Sequence, residues 1–130
     1  MVPRIAARYP VAHSPSYLAC YRIHDNNITS HSLTSGQNIK DIRKVINIIQ
    51  AYLPADKKSV LKKQAKNNFS KYYAWMAHWL YHEHKNMKAA TVQMFGALMM
   101  DVNKTTLLSA LKLITKMSIR YKYKQERKNK

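Results

Sequence analysis

The stretch FSKYYAWMAHWLYHEH, residues 69–84, has the spacing of large side chains that is typical of an amphipathic helix. The same spacing extends back to residue 61. The predicted apolar face consists of Leu61, Ala65, Phe69, Tyr72, Met76, Trp79 and Leu80. Because this face continues over several turns, we predict a long helix at residues 56–83, with the pair Asn67-Asn68 as its weak point.

A second apolar stripe precedes this helix and predicts another at residues 37–53. The stripe consists of Ile42, Val45, Ile46, Ile49 and Leu53. Pro54 would end the helix, and either Thr34 or Ser35 would cap its start.

Two further helices are predicted at residues 87–100 and 105–123. The first should turn four side chains inward, namely Ala90, Met94, Ala97 and Leu98. Gly96 should cost this helix about 1 kcal/mol relative to alanine, unless close packing requires it. The second should place five apolar residues on one side and lysines on the other, the five being Leu107, Leu108, Leu111, Ile114 and Met117. Four amphipathic helices with short connections predict an antiparallel bundle or stacked helical hairpins.

The composition fits one globular domain of 130 residues with a formal net charge of +17. Cys20 is the single cysteine, so the sequence offers neither a disulfide framework nor a cysteine-based metal site. A membrane span requires a run of about 20 apolar residues, and we find no such run in the sequence. We also find no secretory signal. We therefore expect a cytoplasmic protein whose basic surface attracts phosphate groups in nucleic acid, in anionic lipid or in a nucleotide.

Residues 1–36 differ from the rest of the chain. They contain Pro3, Pro10 and Pro15 and lack a sustained helical period, so we interpret them as strand and loop. The predicted fold is therefore mainly α, with a short strand and loop segment at residues 1–36. A bundle of about four amphipathic helices with a basic C-terminal tail follows at residues 37–130.

Within this first segment, residues 4–30 read RIAARYPVAHSPSYLACYRIHDNNITS and contain a series of short motifs in a fixed order. The motif residues are Arg4, Ala6, Tyr9, Pro10, Val11, Pro15, Leu18, Ala19, Tyr21, Arg22, His24, Asn27 and Ser30. In order and spacing they resemble the closing part of the catalytic domain in family 2 glycosyltransferases of the GT-A fold. The resemblance implies that residues 1–36 end such a domain and that residues 37–130 are a helical accessory region.

The resemblance also implies roles for two residues. In that fold a histidine near the end of the domain completes the coordination of a divalent metal, Mg²⁺ or Mn²⁺, which bridges the diphosphate of a nucleotide sugar. His24 is the matching residue and would be the metal ligand. Arg22 lies two positions earlier, on the same face if the segment is a strand, and would bind a phosphate of the nucleotide.

Other parts of a GT-A enzyme have no counterpart in this chain. The family needs an Asp-x-Asp motif, a nucleotide-binding half and a carboxylate base, and no acidic residue here stands in a matching position. We therefore assign no catalytic residue and expect a C-terminal fragment truncated upstream of its catalytic motifs. Its metal would not be held by this chain alone, and the missing half would have to come from a separate chain.

A histidine group and an aromatic group in the long helix are further candidates. His78 and His82 have the spacing of two zinc ligands, but Glu83 does not directly follow the first histidine, as the zinc-protease pattern requires. We interpret His78, His82 and His84 as a polar helix face. The aromatic residues of this helix could form a surface that stacks bases or sugars, but we predict that they pack in the core. They are Tyr72, Tyr73, Trp75, Trp79 and Tyr81.

Two alternative functions remain open. The first is a small basic helical protein that binds nucleic acid or an anionic membrane surface, the latter through the basic C-terminal helix. The sequence does not favour nucleic acid, because we find no zinc finger, helix-turn-helix signature or aromatic RNA motif. The second is a helical interaction module that docks a partner chain.

The missing carboxylates lead to a first prediction. The purified 130-residue chain should not transfer sugar from nucleotide-sugar donors, because one histidine cannot hold the metal by itself. Assays with a panel of donors and Mn²⁺ would check this, and a transfer activity that His24→Ala abolishes would contradict it.

Overall fold

A computed structural model describes Pro10, Ser16 and residues 28–128, with side chains described up to residue 119. The described residues form five α-helices in the order α1 (Ile28–Ser35), α2 (Gln37–Ile49), α3 (Lys58–His82), α4 (Met87–Met100) and α5 (Lys104–Lys128). A short 3₁₀ helix at Gln50–Tyr52 follows α2. The prediction of a mainly helical chain is confirmed.

The core lies mainly between α3 and α4, which share the most extensive contact in the described part of the chain. The connection at residues 83–86 is short, so these two helices form an antiparallel hairpin. Buried alanines on both helices, including Ala77, Ala90 and Ala97, let the helices approach closely. The bounds of α4 agree with the prediction at both ends. Of its four predicted inward residues, Ala90, Met94 and Ala97 are buried and Leu98 is partly buried against the core.

The helix α1 corrects part of the strand and loop prediction for residues 1–36. Residues 28–35 are helical, although their sequence has no clear apolar period. The helix is held instead by tertiary contacts with α4. Leu33 packs against the core, and the buried Gln93 donates a hydrogen bond from Nε2 to the Leu33 carbonyl at 2.6 Å. Within residues 1–36 the sequence predicts short strands at residues 11–13 and 17–23, and both lie outside the described residues.

The predicted side-chain cap at the start of α2 is confirmed in part. Ser35 Oγ accepts from the backbone N–H of Gln37, the first residue of α2, at 3.4 Å. Thr34 donates its hydroxyl to the Ser30 carbonyl within α1, so it does not cap α2. The N-cap residue is Gly36, which has a positive φ of 73° and whose carbonyl accepts from the backbone N–H groups of Ile39 and Lys40. A left-handed residue allows α1 and α2 to follow each other with only Gly36 between them.

The apolar stripe of α2 is confirmed in part. Ile46 is buried and Ile42 is partly buried, whereas Val45 is exposed. Ile39, which the sequence did not single out, is buried against Gly96 of α4, and the neighbouring Asn38 anchors this turn to two other helices. Asn38 exchanges hydrogen bonds of 2.9 Å and 3.1 Å with the Gln93 side chain, and its carbonyl accepts from the Tyr73 hydroxyl at 3.3 Å. Burial, with smaller effects of Tyr72 and Asp41, raises the pKa of Tyr73 to about 12.

The helix α3 continues without a break through Asn67-Asn68, so the predicted weak point does not interrupt it. The side chain of Asn67 is used in a tertiary contact, because its Nδ2 donates to Asp101 Oδ2 at 2.9 Å. Of the predicted apolar face, Leu80 is buried, while Tyr72 and Trp79 are exposed. The buried stripe is rotated toward Ser70, Tyr73, Ala74, Ala77 and Tyr81.

The rotation of α5 is the largest departure from the prediction. Four of its five predicted inward residues are about half exposed, namely Leu107, Leu108, Leu111 and Ile114. The buried positions are Thr106, Ala110 and Leu113, and Met117 is partly buried. Since Ser70, His78 and Tyr81 of α3 contact Thr106, Ser109 and Lys116 in the same order, α5 runs parallel to α3.

A polar junction at the start of α5 explains this rotation. Asn103 caps the helix, because its Oδ1 accepts from the backbone N–H of Thr106 at 3.0 Å. Its Nδ2 donates to Ser70 Oγ at 3.0 Å, and the buried hydroxyls of Ser70 and Thr106 lie 3.2 Å apart. The contacts of Asn103 and Thr106 with Ser70 hold Thr106 toward α3, so the leucines that follow it face outward.

Gly96 is required by close packing, as the sequence allowed. A β-carbon at this position would collide with Ile39 Cδ1 and would lie 3.1 Å and 3.3 Å from Ile39 Cγ1 and Cγ2. Both residues are buried, so the absent side chain lets α2 lie directly against α4.

Gly96→Ala should therefore destabilise the fold although alanine favours a helix by about 1 kcal/mol. We expect a loss of about 1–3 kcal/mol, which is typical of overpacking, measured as the free energy of unfolding in urea. Adding Ile39→Val removes the Cδ1 atom that collides. The double variant should lose less stability than the sum of the two single variants, and simple additivity would contradict this account.

Candidate functional site

An open cleft of about 480 Å³ lies between α3 and α5. Its lining combines an imidazole, two ammonium groups, two hydroxyls and one leucine, from His78, Lys104, Thr105, Leu108, Ser109 and Lys112. The described lining includes no carboxylate, so no acidic side chain within it offsets the two lysines. Such a lining is suited to an anion.

His78 forms the α3 side of this cleft. Its Nε2 lies 3.1 Å from the carbonyl oxygen of Ser109 and 3.0 Å from Ser109 Oγ. A carbonyl oxygen only accepts, so we assign the proton to Nε2, which donates to it. Burial lowers the pKa of His78, and the electrostatic influence of Lys116, His82 and Lys112 adds to this effect, while the hydrogen bond to the Ser109 carbonyl opposes it.

His82 lies one turn further along α3, on the same side as His78. The two rings are stacked nearly parallel, with their centroids 6.4 Å apart. His82 Nε2 lies 3.0 Å from Lys116 Nζ, where the ammonium group donates and the imidazole accepts. His78 and His82 therefore direct these nitrogens at partners on α5. In the described part of the chain, no three potential ligands from His, Cys, Asp and Glu are grouped to hold a metal ion.

His84 makes a different contact from the other two histidines. Its ring packs edge-on against Trp79, with the centroids 4.3 Å apart. The polar face predicted for the three histidines is thus confirmed for His82 and His84, which are exposed, whereas His78 is partly buried against α5.

The aromatic residues of α3 divide into two groups. Tyr73 and Tyr81 are buried, as predicted, and the Tyr81 hydroxyl donates to the Lys116 carbonyl at 3.1 Å. The other three were wrongly predicted to lie in the core, because Tyr72, Trp75 and Trp79 form an exposed row along α3. Their ring centroids are 6.1 Å apart from Tyr72 to Trp75 and 6.4 Å apart from Trp75 to Trp79.

The exposed apolar face of α5 is the second feature of this region. Leu107, Leu111 and Ile114 lie at i, i+4 and i+7 and are 49%, 55% and 59% exposed. Leu108 and Ile119 continue the face on its other flank. Lys104, Lys112 and Lys116 lie among these residues along the same helix. Within the described ranges no helix combines the length and the apolar character that crossing a membrane requires.

The resemblance assigns site roles to Arg22 and His24. Both lie outside the described residues, so the nucleotide and metal roles implied for them stay predictions. The cleft lysines and Ser109 were not identified as site residues from the sequence. The sequence did contain a signal for this region, namely two pairs of basic residues spaced four apart. The pairs are His78 and His82 on α3, and Lys112 and Lys116 on α5.

Comparisons with family models, with curated proteins and with solved structures return no match for this chain.

The lowered pKa of His78 leads to a pH prediction. The unfolded chain takes up a proton near the ordinary histidine value of 6.5, before the folded chain does, so protonation favours unfolding. The stability should therefore fall as the pH drops below about 6.5 toward the lower pKa of folded His78. Thermal melting between neutral and mildly acidic pH would measure this.

His78→Gln should flatten this dependence, because the amide can still donate to Ser109 but does not titrate. His31→Gln is the matched control, since His31 is an exposed histidine on α1, away from the cleft. Asp101 does not interfere, because hydrogen bonds from Asn67 and Asn103 hold its pKa below the ordinary 3.8, and its contribution is lost only in more acidic solution. An unchanged pH dependence in His78→Gln would contradict the assignment.

Proposed function

We propose that this protein binds anionic membrane surfaces peripherally through the exposed face of α5. The observation that carries the proposal is the rotation of α5, which leaves Leu107, Leu111 and Ile114 at the surface of a helix that also carries Lys104 and Lys112. Apolar residues interleaved with lysines are typical of helices that lie in the membrane interface, with the apolar side chains among the acyl chains.

The estimated binding free energies indicate that the apolar residues and the lysines of α5 have to act together. Burying the remaining half of a leucine or isoleucine side chain contributes on the order of 1 kcal/mol, so three such residues contribute about 3 kcal/mol. Each lysine near an anionic surface adds about 1 kcal/mol. Neither contribution alone gives firm attachment, whereas their sum supports reversible binding to anionic lipid.

The exposed aromatic row on α3 is a second feature that supports the proposal. Tryptophan and tyrosine are enriched where a membrane meets water, because their rings are apolar and their polar groups stay hydrated. Trp75 and Trp79 precede His78 and His82, respectively, by three positions, so they lie on a face of α3 next to the face that meets α5. Their exposure of 57% and 36% leaves the indole rings available to the interface.

The glycosyltransferase relationship remains a separate hypothesis. It rests on residues 4–30, most of which lie outside the described residues. We propose no reaction for the described helices, and the membrane proposal does not depend on that relationship.

Membrane binding predicts a specific variant effect. The triple variant Leu107→Ser/Leu111→Ser/Ile114→Ser should bind vesicles of phosphatidylcholine and phosphatidylglycerol at least about tenfold more weakly than the unaltered protein, since it loses about 3 kcal/mol of burial. Vesicle sedimentation measures the affinity. Vesicles of phosphatidylcholine alone and added salt should both reduce binding of the unaltered protein.

The matched control is Ile48→Ser/Val60→Ser, which removes apolar residues of similar exposure, 54% and 56%, from α2 and α3. This control should bind vesicles like the unaltered protein. Equal binding by the triple variant and the control would contradict the proposal. Two other results would also contradict it. One is that the protein forms a dimer that the triple variant dissociates. The other is that the protein binds nucleic acid and not vesicles, and that the three serine substitutions leave this binding unchanged.

A further inference from the structure

We propose that the cleft between α3 and α5 is a binding site for a phosphate monoester. The ligand is held by Lys104 and Lys112, with the hydroxyls of Thr105 and Ser109 as additional donors and His78 on the opposite side. As a site for a soluble phosphate ester, the cleft is independent of membrane binding; as a site for a lipid headgroup, it rests on the proposed function.

The charge of the cleft favours an anion with two negative charges. Lys104 and Lys112 line it, and Lys116 and His82 are paired with each other beside it. All of these groups are basic, and Lys104 and Lys112 line the space beside His78. A phosphate monoester carries a charge of about −1.5 to −2 at neutral pH, so it offsets two ammonium groups where a diester or a carboxylate offsets one.

The hydrogen-bond donors of the cleft match the oxygens of a phosphate group. Each lysine offers three N–H groups. Since the His78 Nε2–H points at the Ser109 carbonyl and hydroxyl oxygens, Ser109 Oγ acts as an acceptor toward His78, and its own hydrogen is directed elsewhere. Thr105 lies one turn before Ser109 on the same side of α5 and brings a second hydroxyl to the lining.

The size of the cleft indicates an ester in place of a bare ion. A volume of about 480 Å³ lies within the range of sites that hold small organic molecules and is much larger than a phosphate ion needs. Leu108 gives the lining an apolar part that can contact the organic group of the ester. Because the cleft is open, the organic group can extend out of it toward solvent or toward a lipid surface.

Titration with inorganic phosphate tests the site directly. At constant ionic strength, the imidazole signals of His78 in NMR should shift saturably with phosphate, while those of the exposed His31 on α1 should not. The variant Lys104→Gln/Lys112→Gln should bind at least about tenfold more weakly. The matched control Lys44→Gln/Lys88→Gln removes the same charge from exposed positions on α2 and α4 and should bind like the unaltered protein.

Two results would overturn the site. One is a shift of His78 that is linear in phosphate and equal to that of His31, since this indicates only an ionic-strength effect. The other is equal affinity in the two lysine variants, since this indicates only the net charge of the protein. Melting temperatures measured with and without phosphate provide a second readout, and a saturable increase should be present in the control and absent in Lys104→Gln/Lys112→Gln.

The source of the phosphate is distinguished with two further probes. Soluble glycerol phosphate should give the same saturable shift of His78 as inorganic phosphate, and no shift would overturn the ester assignment. If the headgroup of a lipid is the ligand, vesicles with phosphatidic acid should bind more tightly than vesicles of equal charge with phosphatidylglycerol. This preference should be lost in Lys104→Gln/Lys112→Gln, and equal binding of both vesicle types would restrict the site to soluble esters.

The two proposals can fail separately. The α5 variant Leu107→Ser/Leu111→Ser/Ile114→Ser should lose vesicle binding and keep the phosphate titration of His78. A protein that binds phosphate in the cleft but ignores vesicles would contradict the membrane proposal alone. A protein that binds vesicles through α5 without any lysine-dependent phosphate effect would contradict the cleft alone.

Discussion

The hydrogen bonds of Asn103 with Ser70 and Thr106 determine which side of α5 faces the protein. Ser70 and Thr106 are fully buried. The Ser70 hydroxyl donates to the Asn67 carbonyl within α3 and accepts from Asn103 Nδ2, while the Thr106 hydroxyl donates to Asn103 Oδ1, which also caps α5. These bonds join the start of α5 to α3, and leaving a buried donor or acceptor of this group unpaired costs on the order of 1–3 kcal/mol. A rotation that buried Leu107 would separate these groups, so a polar constraint overrides the apolar pattern of the helix.

The same constraint creates both features to which a function is assigned. With Thr106 inward, Ser109 comes to lie beside His78, and Lys112 and Lys104 line the space between α3 and α5. The leucines are at the same time turned to the surface. The basic cleft and the apolar face thus lie on one helix and are oriented by one junction, so the two proposals share one structural cause.

The sequence predicted best the elements whose ends carry local signals. The bounds of α4 were correct, and there Asn86 accepts from the backbone N–H of Ala89 and caps the helix. The prediction from sequence failed where contacts between residues far apart in the chain determine the structure. The short α1 has no apolar period and depends on Gln93, while the rotation of α5 depends on Ser70, which lies 36 positions before Thr106. The spacing of apolar residues takes no account of buried hydroxyls, so the orientation of α5 and the cleft beside it could not be predicted from that spacing. The roles implied for Arg22 and His24 stay predictions.

Both tryptophans of the chain lie in the exposed row of α3, and this determines what its intrinsic fluorescence reports. Unfolding changes the surroundings of an indole strongly only when the ring starts from a buried position. Here the buried aromatic residues are tyrosines such as Tyr73 and Tyr81. The emission of Trp75, the more exposed of the two, should therefore respond weakly to loss of the core, and that of both tryptophans should respond to any molecule that covers this side of α3.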